Sequence, residues 1–217
     1  MIVVIGGIKG GSGKTTIATN LVVMRASTGK KVLLVDADEQ KSASDWAEQR
    51  DSLGIASSWT TVQLSGASLN SQVLRLSKHY DDIIIDVGGR DTTSQRSALS
   101  IADMFLIPFK PRAYDVWTLG KVRLLVNETI TVNPSLKCCV FLNQADTFGK
   151  DNEESLDILR EGNTFGCVDI CIANRKVFSN TATQGMAVVE SRPIDKKALQ
   201  EITSLYQRVY ESNITVI

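Results

Sequence analysis

Three glycines and two lysines fall within six consecutive positions near the start of the chain, in Lys9-Gly10-Gly11-Ser12-Gly13-Lys14, and Thr15-Thr16 follow. An apolar, strand-like run, Ile2-Val3-Val4-Ile5, precedes this stretch, and a helical pattern follows it. Glycines let a backbone turn tightly and aim its N–H groups inward, and a helix start adds the positive end of its dipole. That combination suits a polyphosphate. In a strand–loop–helix of this kind Lys14 reaches the β- and γ-phosphates and the Thr15 hydroxyl ligates Mg²⁺. The alternative is a glycine-rich turn with no ligand. The usual P-loop pattern places a glycine five residues before Gly13, where this chain has Ile8.

Two further segments end buried strands in carboxylates. Lys31-Val32-Leu33-Leu34-Val35 runs into Asp36-Ala37-Asp38-Glu39-Gln40, which places Asp36 and Asp38 for Mg²⁺ and water beside the phosphate loop. Both also read as helix-capping or solvated residues. Asp82-Ile83-Ile84-Ile85-Asp86 reads as a Walker B strand with Asp86 holding Mg²⁺ through water, and Gly88-Gly89 gives the next loop freedom to approach and leave a γ-phosphate.

Lys9–Thr16 resembles the deviant Walker A box of the ParA/MinD family, in which a second lysine, here Lys9, stands near the start of the loop. The resemblance implies ATP and Mg²⁺ as cofactors, and a homodimer formed on ATP binding in which Lys9 contacts ATP across a face-to-face interface. It makes Lys9, Lys14 and Asp38 the catalytic residues, with Asp38 positioning the attacking water. Gly10, Gly11, Ser12, Gly13, Lys14, Thr15, Thr16 and Asn143 become nucleotide-binding residues, with Asn143 on adenine, and Thr15, Asp36 and Asp86 serve the metal. The family's Asp-x-Asp-Pro-Gln box has Glu39 here in place of Pro. Gly88-Gly89-Arg90-Asp91 resembles a second switch, where Arg90 and Asp91 either pair with each other or act across the dimer. Ile107-Pro108-Phe109-Lys110-Pro111-Arg112-Ala113-Tyr114-Asp115 resembles the segment that lines the dimer interface. Asn143-Gln144-Ala145-Asp146 is also faintly similar to a guanine-reading box, the weaker alternative to ATP. The segments Ile172–Phe178 and Gln184–Glu190 carry the likeness to the late part of the chain.

The likeness is to the small ParA type, which implies a DNA-partition ATPase. Its ATP dimer binds non-specific DNA and is released by a ParB-type or small centromere-binding partner, so the protein is expected in the cytoplasm, on the nucleoid when ATP-bound. Arg175, Lys176, Arg192, Lys196, Lys197 and Arg208 are the candidate DNA contacts, each equally readable as a solvated charge. Alternatives are a MinD-like ATPase on a membrane, an iron–sulfur relative and an ATPase positioning a protein assembly. The tail after Tyr206 has few basic residues, which disfavours the membrane, and no cysteine falls just after the Walker B strand and no Cys-x-x-Cys occurs, which disfavours the cluster carriers.

These residues need a scaffold that brings several strand ends together. Strand-like runs recur at Ile2–Gly6, Lys31–Val35, Thr60–Leu64, Asp82–Asp86, Met104–Ile107, Lys137–Leu142 and Val168–Ile172. Between them lie helical patterns at Lys14–Ser27, Ser42–Asp51, Ser68–His79, Thr93–Ser100, Val116–Thr129, Glu153–Glu161 and Asp195–Glu211. Such alternation predicts an α/β fold, a doubly wound, mostly parallel sheet with helices on both faces, in one domain over residues 1–217. Lys plus Arg equals Asp plus Glu at 24 each, so net charge alone announces no nucleic-acid partner. No run is long enough to span a bilayer, and no signal peptide is read at the start. Cys138, Cys139, Cys167 and Cys171 lack metal-site spacing and the only histidine is His79, so reduced, buried cysteines are expected.

Overall fold

Ile83, Ile84 and Ile85 are consecutive, so both faces of their strand are apolar and both need cover. The computed structural model, which describes residues 1–111, 118–146, 151–160 and 165–211, supplies that cover with helices on each side of one seven-stranded sheet. The strands are β1 (Ile2–Ile5), β2 (Val32–Ala37), β3 (Thr60–Gln63), β4 (Asp82–Val87), β5 (Met104–Phe109), β6 (Lys137–Ala145) and β7 (Gly166–Ala173). Their order is β3-β2-β4-β1-β5-β6-β7, and every neighbouring pair is parallel. The described helices are α1 (Lys14–Ala26), α2 (Ser42–Ser52), α3 (Leu69–Leu76), α4 (Thr93–Leu99), α5 (Leu119–Val132), α6 (Asp151–Arg160), α7 (Lys176–Ala182) and α8 (Lys196–Tyr210).

Alternate residues of each strand enter opposite layers. Val3, Ile5, Leu34, Ile84 and Phe141 pack with Ile17 and Leu21 of α1, Ala43 of α2, and Ile202 and Leu205 of α8. Val4, Leu33, Ile83, Ile85 and Phe105 pack with Leu69 and Val73 of α3, Leu99 of α4, Leu125 of α5 and Leu159 of α6. Adjacent Cys138 and Cys139 divide between these two layers as expected, both buried and without a disulfide.

All seven expected strands are present, and β6 and β7 are longer than their apolar runs. Two helical expectations are adjusted and one helix is added. The stretch 69–79 is a helix to Leu76 closed by a 3₁₀ turn, Ser77–His79. Helix α5 is described from Leu119 and runs on to Val132, residues 116–117 of the expectation lying outside the described residues. Helix α7 has no counterpart among the expected elements.

The sheet order decides where a site forms. β1 lies between β4 and β5, so connections leave it in both directions, and the crevice at such a switch point opens at the carboxyl ends of the strands. Ile5 is level with Asp86, and Asp86 is level with Asp36. The loops after β1, β2 and β4 therefore emerge side by side.

Candidate nucleotide site

The loop between β1 and α1 is held from behind. Gln95, fully buried on α4, accepts a hydrogen bond from Gly7 N at 3.0 Å through its Oε1. Asn143 Nδ2 donates to the Ser12 carbonyl at 2.7 Å, Gln144 Nε2 to the Gly11 carbonyl at 3.2 Å, and Lys14 Nζ to the Lys9 carbonyl at 3.0 Å. Ile17 N donates to the carbonyl of Gly13. Gly13, the residue before α1, has φ +85°, and a β-carbon there would run into the Asn143 amide, so only glycine fits. No side chain caps α1, which leaves its first N–H groups for a ligand.

In front of the loop lies a cavity of about 550 Å³. Its walls include Gly10, Gly11, Gly13, Lys14, Thr15 and Thr16 from the loop, Asp38 from the turn after β2, Gly88, Gly89 and Arg90 after β4, and Gln144 after β6. The three loops touch. A β-carbon on Gly89 would stand 2.5 Å from Gly10 N, so two glycine backbones lie in direct contact there. A β-carbon on Gly88 would stand 3.2 Å from Asp38 Oδ1. Thr92 accepts from Gln95 N and caps α4.

Asp86 is buried, and its Oδ2 accepts from the Thr15 hydroxyl at 2.7 Å while Oδ1 has no partner. Burial raises its pKa to about 7; nearby Asp36 and Asp38 push the same way, against the Thr15 hydrogen bond and Lys14. Burial in turn lowers the pKa of Lys14, against the pull of Asp86 and Asp38. An orphaned carboxylate oxygen beside a hydroxyl fits a hard divalent cation, which takes oxygen ligands. Thr15 and Asp86 thus form, among the described residues, a pair whose oxygens suit Mg²⁺.

Asp36 stands level with Asp86 on the neighbouring strand. Its Oδ2 accepts from Ser44 N at 2.8 Å and its Oδ1 from Asp38 N at 3.2 Å, and it is not a cavity wall. This carboxylate, buried at the end of β2, thus secures the turn and the first turn of α2. Asp38 does border the cavity, with Oδ1 accepting from Gln40 N at 3.1 Å.

Asn143, near the end of β6, is buried beneath the loop and gives a side-chain N–H to the Ser12 carbonyl, which supports the phosphate loop. The neighbouring cavity wall is Gln144, in a left-handed conformation with φ +53°. Lys9 is exposed and its side chain lies outside the cavity wall. Asp91 pairs with Arg96 at 2.6 Å, and Arg96 also holds Glu128 at 2.8 Å; Arg90 stands apart on the cavity wall, so these two neighbours do not pair with each other.

Of the expected DNA contacts, Arg175 is the half-buried one. Its guanidinium binds Glu201 at 2.6 Å, and Glu201 also accepts from Ala173 N at 3.1 Å, a local clamp between β7 and α8. Lys176, Arg192, Lys196, Lys197 and Arg208 are exposed. Asp195 caps α8 by accepting from Lys197 N and Ala198 N, which offsets two lysines at the positive end of the helix dipole. Arg112–Asp115 of the interface segment lie outside the described residues. Sequence reasoning missed Gln95 and the cavity position of Gln144; an isolated glutamine carries no signal of either role.

Residues 3–212 match the family model described as the CobQ/CobB/MinD/ParA nucleotide binding domain. The chain is 26% identical over 210 residues to the maintenance of carboxysome distribution protein A of Halothiobacillus neapolitanus, covering 96% of this chain and 95% of the relative. It is 33% identical over 122 residues to protein ParA of Rhizobium radiobacter, covering 55% of this chain and 52% of that one. Among solved structures it resembles the ATP complex of McdA from Cyanothece, with a TM-score of 0.76 at 18% identity over 95% of each chain. It also resembles the septum site-determining protein MinD with Mg-ADP from Pyrococcus horikoshii, with a TM-score of 0.73 at 19% identity over 97% of each chain. With the family model spanning nearly all of it, the chain belongs to the CobQ/CobB/MinD/ParA nucleotide-binding family.

Proposed function

We propose that this chain, as a single domain, is a Mg²⁺-dependent ATPase of the ParA type that partitions DNA or positions another cargo through an ATP-dependent homodimer. The observation that carries this reading is the meeting of three loops on one cavity: Lys14 and Thr15 of the phosphate loop, Asp38 after β2, and Gly88-Gly89 after β4. A γ-phosphate in that cavity touches all three, so its loss on hydrolysis releases contacts that only the ATP state makes. Lys14 neutralises phosphate charge, Thr15 with Asp86 behind it holds the metal, and Asp38 orients the water. The metal, when bound, supplies charge neutralisation for the triphosphate. Lys9 reaches the nucleotide of a facing subunit, a role that its exposure and its absence from its own cavity wall support. Hydrolysis is slow until a ParB-type or other small partner protein stimulates it.

The ATP dimer binds DNA without sequence preference through Lys176, Lys196 and Lys197, all exposed. The protein then works in the cytoplasm, on the nucleoid when ATP-bound. No described helix is long and apolar enough to cross a membrane. A second reading, in which the cargo is a protein assembly, is supported by the near-full-length likeness to a protein named for carboxysome distribution. Both readings share the engine and differ in cargo.

The test is a mobility shift on DNA of arbitrary sequence with ATP, ADP or no nucleotide, at low and moderate salt. Binding confined to ATP and weakened by salt supports the proposal. No DNA binding under any condition, with ATP-driven dimerisation intact, removes DNA from it.

A further inference from the structure

We propose that Lys110 is a second cation of the dimer face, which joins Lys9 in meeting the triphosphate held by a facing second copy of this chain. The inference rests on the ATP-dependent homodimer proposed above. Lys110 follows β5, and β5 lies directly beside β1, so Lys110-Pro111 emerge next to the phosphate loop. The Lys110 ammonium lies 3.8 Å from the point where a β-carbon on Gly11 would stand. The side chain is partly buried, and among the described residues it makes no hydrogen bond or ion pair.

Its side of the loop decides what it serves. Lys110, Lys9 and Ser12 border a small groove on the outer side of the loop, whereas the nucleotide cavity has Lys14 in its wall and neither Lys9 nor Lys110. Lys110 thus approaches the loop at Gly11 without lining the nucleotide cavity. An anion arriving from outside meets Lys110 together with Lys9. A partly desolvated ammonium without a partner is costly until an anion reaches it. In a two-fold dimer each copy presents the same surface to the other, so a face that carries both the cavity mouth and these cations brings the two cation pairs to the interface together. A lysine suits this duty because its flexible stem carries a point charge to a phosphate.

The experiment uses the full chain with Lys110→Ala, Lys110→Gln and Lys110→Arg. Dimerisation with Mg-AMPPNP is followed by analytical ultracentrifugation across a salt series, and nucleotide affinity of dilute monomer by titration with a fluorescent ATP analogue. Lys110→Ala and Lys110→Gln are expected to weaken the dimer about ten-fold at low salt and flatten its salt dependence, with monomer affinity held within about two-fold. Lys110→Arg should retain most of the dimer. An unchanged dimer constant and salt slope in Lys110→Ala overturn the proposal. So does a loss of nucleotide affinity in the monomer, which would assign Lys110 to its own nucleotide, or a loss of DNA binding with the dimer intact. A wild-type chain that stays monomeric with AMPPNP overturns the dimer reading itself, and that result needs no variant.

Discussion

The Thr15 hydroxyl gives its hydrogen to Asp86 Oδ2 at 2.7 Å, while the buried Oδ1 of the same carboxylate has no partner. Burial of the carboxylate, against the Thr15 hydrogen bond, raises its pKa in the folded protein to about 7, above the ordinary carboxylate value of about 4. A raised folded value means that the folded state binds the proton more tightly than the unfolded chain. The resulting stability is full below about pH 4 and is lost as pH rises through about 7. Chemical denaturation of metal-free protein at pH 5, 6, 7 and 8 should show this loss, and Asp86→Asn should lack it. Mg²⁺ with nucleotide ionises the group, so metal affinity should climb across the same interval. Identical pH slopes for the wild type and Asp86→Asn would refute the assignment.

Asn143 and Ser12 make a different kind of pair, a side-chain amide holding up a loop carbonyl at 2.7 Å. If the role is support, Asn143→Ala loosens the phosphate loop for every nucleotide. ATP and GTP affinities should fall together, by about 1–3 kcal/mol each, the cost of an unsatisfied buried group. If the role is base reading, ATP affinity falls and GTP affinity does not. Isothermal titration with both nucleotides separates the two.

The scaffold was legible wherever burial on both faces dictates apolar runs, as at Ile83-Ile84-Ile85, and the phosphate loop wherever glycine spacing constrains the backbone. Helix α7 was not, because Val177, Ser179, Asn180 and Thr181 are weak helix formers and neighbours hold the segment: Thr181 is buried and Phe178 packs against the sheet. The site residues divide along the same line. Sequence places Asp36, Asn143 and Arg175 at or just beyond strand ends, but it does not reveal where each polar end turns. Ser44 N, the Ser12 carbonyl and Glu201, all distant along the chain or across an element, capture them.

Arg50 near the end of α2 is buried and donates to Glu190 at 2.7 and 2.8 Å, to the Gly185 carbonyl at 2.9 Å and to the Ala56 carbonyl. Its guanidinium also lies over Trp59, 4.9 Å from the ring centre. This ties the segment 185–190, just ahead of Arg192, Lys196 and Lys197, to the helix that starts after Asp38. Glu190→Ala leaves a buried arginine without its carboxylate and is expected to cost about 3 kcal/mol of stability. Denaturant titration measures it. A loss below about 0.5 kcal/mol would place the pair among surface bridges of little worth.

Asp38 and Lys9 are predicted to separate hydrolysis from dimerisation. Asp38 borders the cavity and touches no phosphate-loop group in the hydrogen bonds described, so Asp38→Ala should leave ATP binding intact. Removing a water-positioning carboxylate should slow phosphate release by about 10²–10⁴-fold and trap the ATP-bound dimer. Lys9→Ala removes an exposed side chain outside its own cavity, so the monomer should still bind nucleotide while the ATP dimer is lost. Phosphate release paired with light scattering on each variant reads both properties. A Lys9→Ala chain that dimerises normally with ATP removes this lysine from the partner's site, and an Asp38→Ala chain that hydrolyses at the wild-type rate leaves the water to another group.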